Sequence, residues 1–194
     1  MSVKLILKDV RGSYVFLKQP RPSEDGTGKY SMQIIIDKND PQVQQIKAAI
    51  AQVARESFGE KVKLGAIKIP LRDGDEERDG KEYENKYFFN ANSGRAPQIV
   101  NRFGKTASDE DIEEYCYSGA TFHVSLSFYT FDRAGKKGVA VGLQNVMLRK
   151  KTERLDGGVS ATDEFATMAD KDEEDPFAPA NTGSDSLDDE DIDF

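Results

Sequence analysis

Residues 120–150 read ATFHVSLSFYTF, then the turn DRAGKKG, then VAVGLQNVMLRK. Phe122, Val124, Leu126 and Phe128 fall on one side of an extended chain, and Thr121, His123, Ser125, Ser127, Tyr129 and Phe131 fall on the other. Alternation of this length belongs to a strand with one buried face, and the short turn folds its partner back beside it. The apolar phase slips between Leu143 and Val146, which predicts a bulge near Asn145. A long antiparallel hairpin of this kind needs other strands to cover its apolar face.

The remaining segments supply them. VKLILKDVRGSYVFL reads as a long strand that bends or bulges at Gly12. In KYSMQIIID, Tyr30, Met32, Ile34 and Ile36 share one face and Ser31, Gln33 and Ile35 the other. Asp40 before Pro41 is an N-cap with proline at the first helical position. Val43, Ile46, Ile50 and Val53 then give an amphipathic helix over 41–58 that Gly59 closes. KVKLGAIKIP suggests a short edge strand, and LRDGDEERDGKEYEN a mobile surface loop or hairpin. KYFFNANS is a strand, with PQIVN as its continuation after Gly94. Ser108 with Asp111 three residues on predicts a capped short helix over 108–118, where carboxylates in the first turn suit the helix dipole.

Five strands with a short helix ahead of the last hairpin predict a mostly β fold, an OB-fold five-stranded barrel with the 41–58 helix as an insertion. Spacing alone leaves a β-sandwich open. The barrel is expected over 1–155, with 156–194 a disordered acidic C-terminal tail.

Charge divides the same way. Of 27 Lys+Arg and 35 Asp+Glu, residues 163–194 hold 1 and 13, a net of −12, which leaves 26 against 22, or +4, for residues 1–162. The acidic segment has no apolar periodicity and cannot bury enough surface to offset ordering entropy, so disorder is expected there. A coil of that length spans about 30 Å, enough to reach a groove on its own body. Solubility alone does not call for the terminal Phe194. The single cysteine, Cys116, excludes an intrachain disulfide and a cysteine-rich zinc site. No signal peptide or membrane helix is expected, so a cytoplasmic location is predicted, without cofactor or metal.

A basic body points to a polyanionic partner. Tyr129 and Phe131 on the polar face of their strand suit stacking of unpaired bases, with Arg133, Lys136 and Lys137 beside them for phosphates. A Tyr-x-Phe pair serves equally well to cover a neighbouring helix. RGSY, KQPRP, GKY, GRAPQIVNRFGK and DRAGKK place cations beside aromatics, which adds Arg11, Lys29, Tyr30, Arg95, Arg102 and Lys105. In KYFFNANS either Tyr87 and Phe89 or Phe88 points inward, and Tyr87 and Phe89 are carried as candidates. No helix shows a basic recognition face, which favours single strands over duplex.

The block GKYSMQIIIDKNDPQVQQIKAAI, the strand LQNVMLRK and the acidic end closing on DIDF resemble the single-stranded DNA-binding proteins of tailed bacteriophages. The resemblance implies an OB-fold that coats single-stranded DNA during replication and recombination in the host cytoplasm. It further implies a tail, Asp188, Asp189, Glu190, Asp191, Ile192, Asp193 and Phe194, that contacts replication proteins such as polymerase, helicase/primase or nuclease, and a homodimer. Two rival readings are a metal-dependent nuclease using Asp73, Asp75, Glu76 and Asp79, and a nucleic-acid mimic acting through the tail alone. Against the nuclease, these acids sit in a turn-rich stretch without other candidate ligands.

Overall fold

The computed structural model describes residues 2–22 and 26–155, and the expectations made for 156–194 lie outside the described residues. β1 (Ser2–Arg21) pairs antiparallel with β2 (Lys29–Asp37) and with β6 (Thr121–Arg133). β2 pairs with β4 (Lys86–Ser93), and β6 with β7 (Lys136–Lys150). One parallel pairing, Asn92 beside Gly142, joins β4 to β7 and closes the ring β1-β2-β4-β7-β6. That closure rules out the sandwich and gives the expected five-stranded barrel. β3 (Arg72–Asp73) and β5 (Gln98–Val100) lie outside the ring, against β4 and β7. PQIVN is therefore no continuation of β4: it turns away at Gly94 and runs parallel to β7.

β1 is irregular at three places, none of them at Gly12. Asp9 and Tyr14 take left-handed backbone conformations, φ 50° and 47°. The ladder shifts register between Leu7 and Val10, between Ser13 and Phe16, and again between Phe16 and Arg21. Gly12 serves close packing instead, because a Cβ there would lie 2.6 Å from the Phe122 ring. The expected bulge in β7 is present, as the β6–β7 register shifts between the Leu126–Leu143 and Val124–Val146 pairs.

Helix α1 (Gln42–Phe58) starts one residue later than predicted, with Pro41 as its N-cap, while the Asp40 carboxylate just before it accepts from Gln42 N–H at 2.8 Å. Val43, Ile46, Ile50 and Val53 are buried against β1, β6 and β7. Inside the barrel Phe89, Phe122 and Phe128 are the largest fully buried side chains of the core. Helix α3 (Asp109–Tyr115) carries the reciprocal Ser108–Asp111 capping box.

Residues 72–83 correct the loop alternative and keep something of the hairpin one, since β3 pairs antiparallel with β4, Arg72 beside Phe88. β3, a short helix α2 (Gly74–Glu77) and a turn at Lys81–Tyr83 make an ordered cap. Tyr83 packs with Ile35 and Phe88 in a second apolar cluster on the outside of the barrel. Lys38 holds the cap by ion pairs to Asp73 (2.5 Å) and Asp75 (2.7 Å). The edge strand expected in 61–70 reduces to a single bridge between Lys68 and Gly138. Among the described residues no helix is long and apolar enough to cross a membrane.

Candidate nucleic-acid interface

Alternation on β2 and β4 sends Met32, Ile34, Phe89 and Ala91 inward. Ser31, Gln33 and Ile35, with Phe88, Asn90 and Asn92, therefore face outward. The 72–83 cap covers Ile35 and Phe88. The rest is an open groove of about 290 Å³ lined by Tyr14, Phe16, Arg21, Gln33, Arg78, Asn90 and Asn92, among others. Tyr14 stands on the β1 bulge and is 57% exposed. Its left-handed backbone interrupts the alternation and sets an aromatic ring on the outer surface of a strand.

The groove floor is fixed by a buried relay. Tyr83 O–H donates to Gln33 Oε1 at 2.5 Å, and Gln33 Nε2 donates to Asn90 Oδ1 at 3.2 Å. With its oxygen engaged, the Asn90 amide keeps its N–H donors for the groove. Burial pushes the Tyr83 phenol upward from its ordinary value, so it stays a donor throughout the physiological range. The Arg78 guanidinium lies 5.6 Å and 5.2 Å from the Tyr83 and Phe88 ring centres, which holds a cation at the groove's edge by cation–π attraction.

Across the Asn92–Gly142 closure the surface continues. A second, shallower hollow of about 540 Å³ is lined by Ser93, Arg95, Gln98, Gln144 and Asn145. On the other side of Gly142 stands Tyr129, 42% exposed. Its ring edge lies 3.5 Å from where a Gly142 Cβ would be, so the missing side chain keeps the floor low between Asn92 and the tyrosine. Rings, amide donors and cations in one strand-face groove can hold unpaired bases and their phosphates.

Comparison with known proteins bears on the fold that carries this groove. The model of the family described as Enterobacter phage Enc34, ssDNA-binding protein, matches residues 3–177. The chain belongs to this family. Among solved structures, the single-stranded DNA-binding protein from bacteriophage Enc34 in complex with ssDNA matches with a TM-score of 0.69 at 23% identity. That match covers 78% of this chain and 89% of that one. A second structure of the Enc34 protein gives 0.67 at 21%, over 84% and 89%. The single-stranded DNA-binding protein gp2.5 of bacteriophage T7 gives 0.56 at 15%, over 90% and 98%. At these identities the structural likeness is one of fold. No curated protein matches the chain.

Within this family member the predicted site residues scatter. Arg95 and Tyr129 lie along the grooves, and Lys29 pairs with Arg21 at the β1–β2 mouth. Phe89, 1% exposed, is core and has no surface to offer a base, which corrects its place in the set. Tyr87 follows it onto the inner side, where Lys38 and Lys47 stand over its ring at 5.3 and 4.9 Å. Tyr30, opposite Ser93, is half-buried on that same side. Arg11 is turned to backbone, its guanidinium donating to Gly119 O (3.2 Å) and Glu153 O (2.7 Å). Phe131 seats its ring on Gly138. Arg133 and Lys136 face each other at the exposed hairpin tip, and Lys137 lies 3.6 Å from Asp132 and 5.6 Å from the Phe58 ring. Arg102 and Lys105 belong to an exposed turn after β5.

Of the residues lining the groove, sequence reasoning carried none of Phe16, Gln33, Arg78, Asn90 and Asn92 as site residues, and it quoted Tyr14 and Arg21 only within RGSY and KQPRP without carrying them as such. The alternating Asn90 and Asn92 were a usable signal once Phe89 is assigned inward. Cys116 is a structural thiol, pushed up to about 12 by burial. Of the acids weighed for a nuclease, Asp73 and Asp75 are engaged by Lys38. Among the described residues no three His, Cys, Asp or Glu are grouped to hold a metal.

Proposed function

We propose that the chain binds single-stranded DNA without sequence specificity and coats it during phage replication and recombination in the host cytoplasm. The observation that carries this reading is the outer-face groove of β1, β2 and β4. There exposed Tyr14 supplies a stacking surface, Asn90 and Asn92 supply donors, and Arg21, Arg78 and Arg95 supply charge along one path. Stacking on tyrosine accepts any base, since every base has a π face, so affinity comes without discrimination. A duplex hides those faces and leaves only its phosphates to read.

In this reading residues 1–155 are the binding body and 156–194 an acidic competitor for the same cations. Displacement by DNA would free Asp188, Asp189, Glu190, Asp191, Ile192, Asp193 and Phe194 to dock on replication proteins, or on a second copy to give a homodimer. The terminal ring would fill a pocket while the carboxylates meet a basic rim.

The test is fluorescence anisotropy with labelled single strands and blunt duplexes of equal length across a salt series. The expected outcome is a preference for single strands, with log affinity falling against log salt with a slope of about −3 for four phosphate contacts. The double variant Tyr14→Ala/Arg78→Ala should lose at least tenfold in affinity while Phe131→Ala changes little. Equal affinity for both nucleic acids in every salt would overturn the proposal.

A further inference from the structure

Just beyond β5 the chain makes a turn held by four backbone N–H donors. Asn101 N–H donates to Lys105 O at 2.8 Å and Gly104 N–H to Asn101 O at 2.9 Å. The Asn101 side-chain oxygen accepts from Phe103 N–H (3.1 Å) and Lys105 N–H (3.2 Å). Val100 bridges Thr106 at the base, and Gly104, at φ 77°, takes the left-handed position the tip requires. The side chain this turn presents is Phe103, 71% exposed and the most exposed large apolar residue described. The Arg102 guanidinium stands 4.8 Å from its ring centre.

A ring held out in water by an ordered turn contributes nothing to the core, and its position is already fixed before any ligand arrives. Beside it lies a hollow of about 120 Å³ between the turn, α3 and the end of β7, with Tyr115 and Arg149 in its wall. Two acids also line it, and both are engaged. Asp111 accepts from Ser108 N–H at 3.1 Å in the capping box, and Glu114 pairs with Lys151. What the turn adds to the surface is therefore one π face with the Arg102 guanidinium against it and a second cation, the exposed Lys105, two residues on in the same turn. A nucleotide, with a ring and an anion side by side, is the complement of that pattern, whereas an apolar protein surface would have to desolvate both cations.

The turn also continues the grooves. Gln98 lines the second hollow and β5 leads from it to Asn101, about 10 Å further on at the rise of an extended chain.

We propose that Phe103 is a second stacking platform, separate from the Tyr14 groove, which receives a later base of the same single strand while Arg102 and Lys105 meet its phosphates. This inference rests on the groove reading above and extends the path by one platform.

The test uses the full chain with oligonucleotides of about four and about sixteen nucleotides, the range over which OB-fold sites vary. Phe103→Ala should bind the long oligonucleotide about tenfold more weakly and the short one unchanged. Phe103→Leu, apolar but without a π face, should behave like the alanine variant. Because the native chain has no tryptophan, Phe103→Trp places a single indole at the site, and the long oligonucleotide should quench it while the short one does not. Unchanged affinity of Phe103→Ala for the long strand overturns the proposal. So does recovery by leucine, or a loss of self-association in sedimentation without loss of affinity, which would assign the ring to a second copy. If the native chain binds neither oligonucleotide the groove reading itself has failed. If it binds both, and Phe103→Ala changes neither, only the second platform has.

Discussion

At the scale of single residues, the body's one histidine is an acceptor in the ladder. His123 Nδ1 takes the N–H of Asp9, at the β1 bulge, at 2.9 Å, which requires the neutral ring with its proton on Nε2. Burial lowers its pKa, partly opposed by the Asp9 carboxylate at 3.9 Å, while Arg149 and Lys8 act with burial. A base whose folded value lies below its unfolded one contributes stability that is present above about pH 6.5 and lost as pH falls through the folded value. The urea midpoint should therefore drop between pH 7.5 and pH 5, and by less in His123→Gln, whose amide oxygen can accept the same N–H without titrating. An identical drop in both proteins would show that His123 is not the group responsible. The bulge it helps hold, and the one at Tyr14, lie on either side of the glycine where the sequence suggested a bend. Nothing in KDV or GSY marks Asp9 and Tyr14 for left-handed backbone, and Tyr14, the groove's exposed ring, was hidden for that reason. Phe89 failed from the opposite cause: two adjacent phenylalanines give no phase until the partner strand fixes the register.

At the scale of elements, strands and helices with a clear period were legible: β2, α1, α3 and the β6–β7 hairpin, including the extra residue near Asn145. The 72–83 cap was not, because its order comes from distant partners, Lys38 from before α1 and Gln33 from β2, and not from any period of its own. Its link to the groove can be broken selectively. Tyr83→Phe removes the hydroxyl that donates to buried Gln33, which is only 2% exposed. The stranded amide oxygen should cost about 1–3 kcal/mol in urea unfolding. The same change frees the Asn90 amide to rotate, so single-strand affinity should fall as well. A stability loss with affinity intact would separate the cap from the site.

At the scale of the whole chain, charge is the organising quantity. Residues 163–194 carry −12 against +4 for residues 1–162, summing to the −8 of the protein. Deleting 163–194 should tighten oligonucleotide binding most at low salt, with the difference shrinking as ions screen the acids. Equal affinities for the two proteins at the lowest salt would mean that the acids do not compete for the groove. The closure of the barrel adds a mechanical point. A single residue pair, Asn92 with Gly142, is all the backbone that joins β4 to β7, whereas every other joint in the ring is a ladder. A polymer lying over that pair from Tyr14 to Arg95 would lace the seam shut from outside. Amide protons along it should then exchange fastest in the naked protein and slow most when the groove fills, so the joint that gives way first would be the one the cargo sews up.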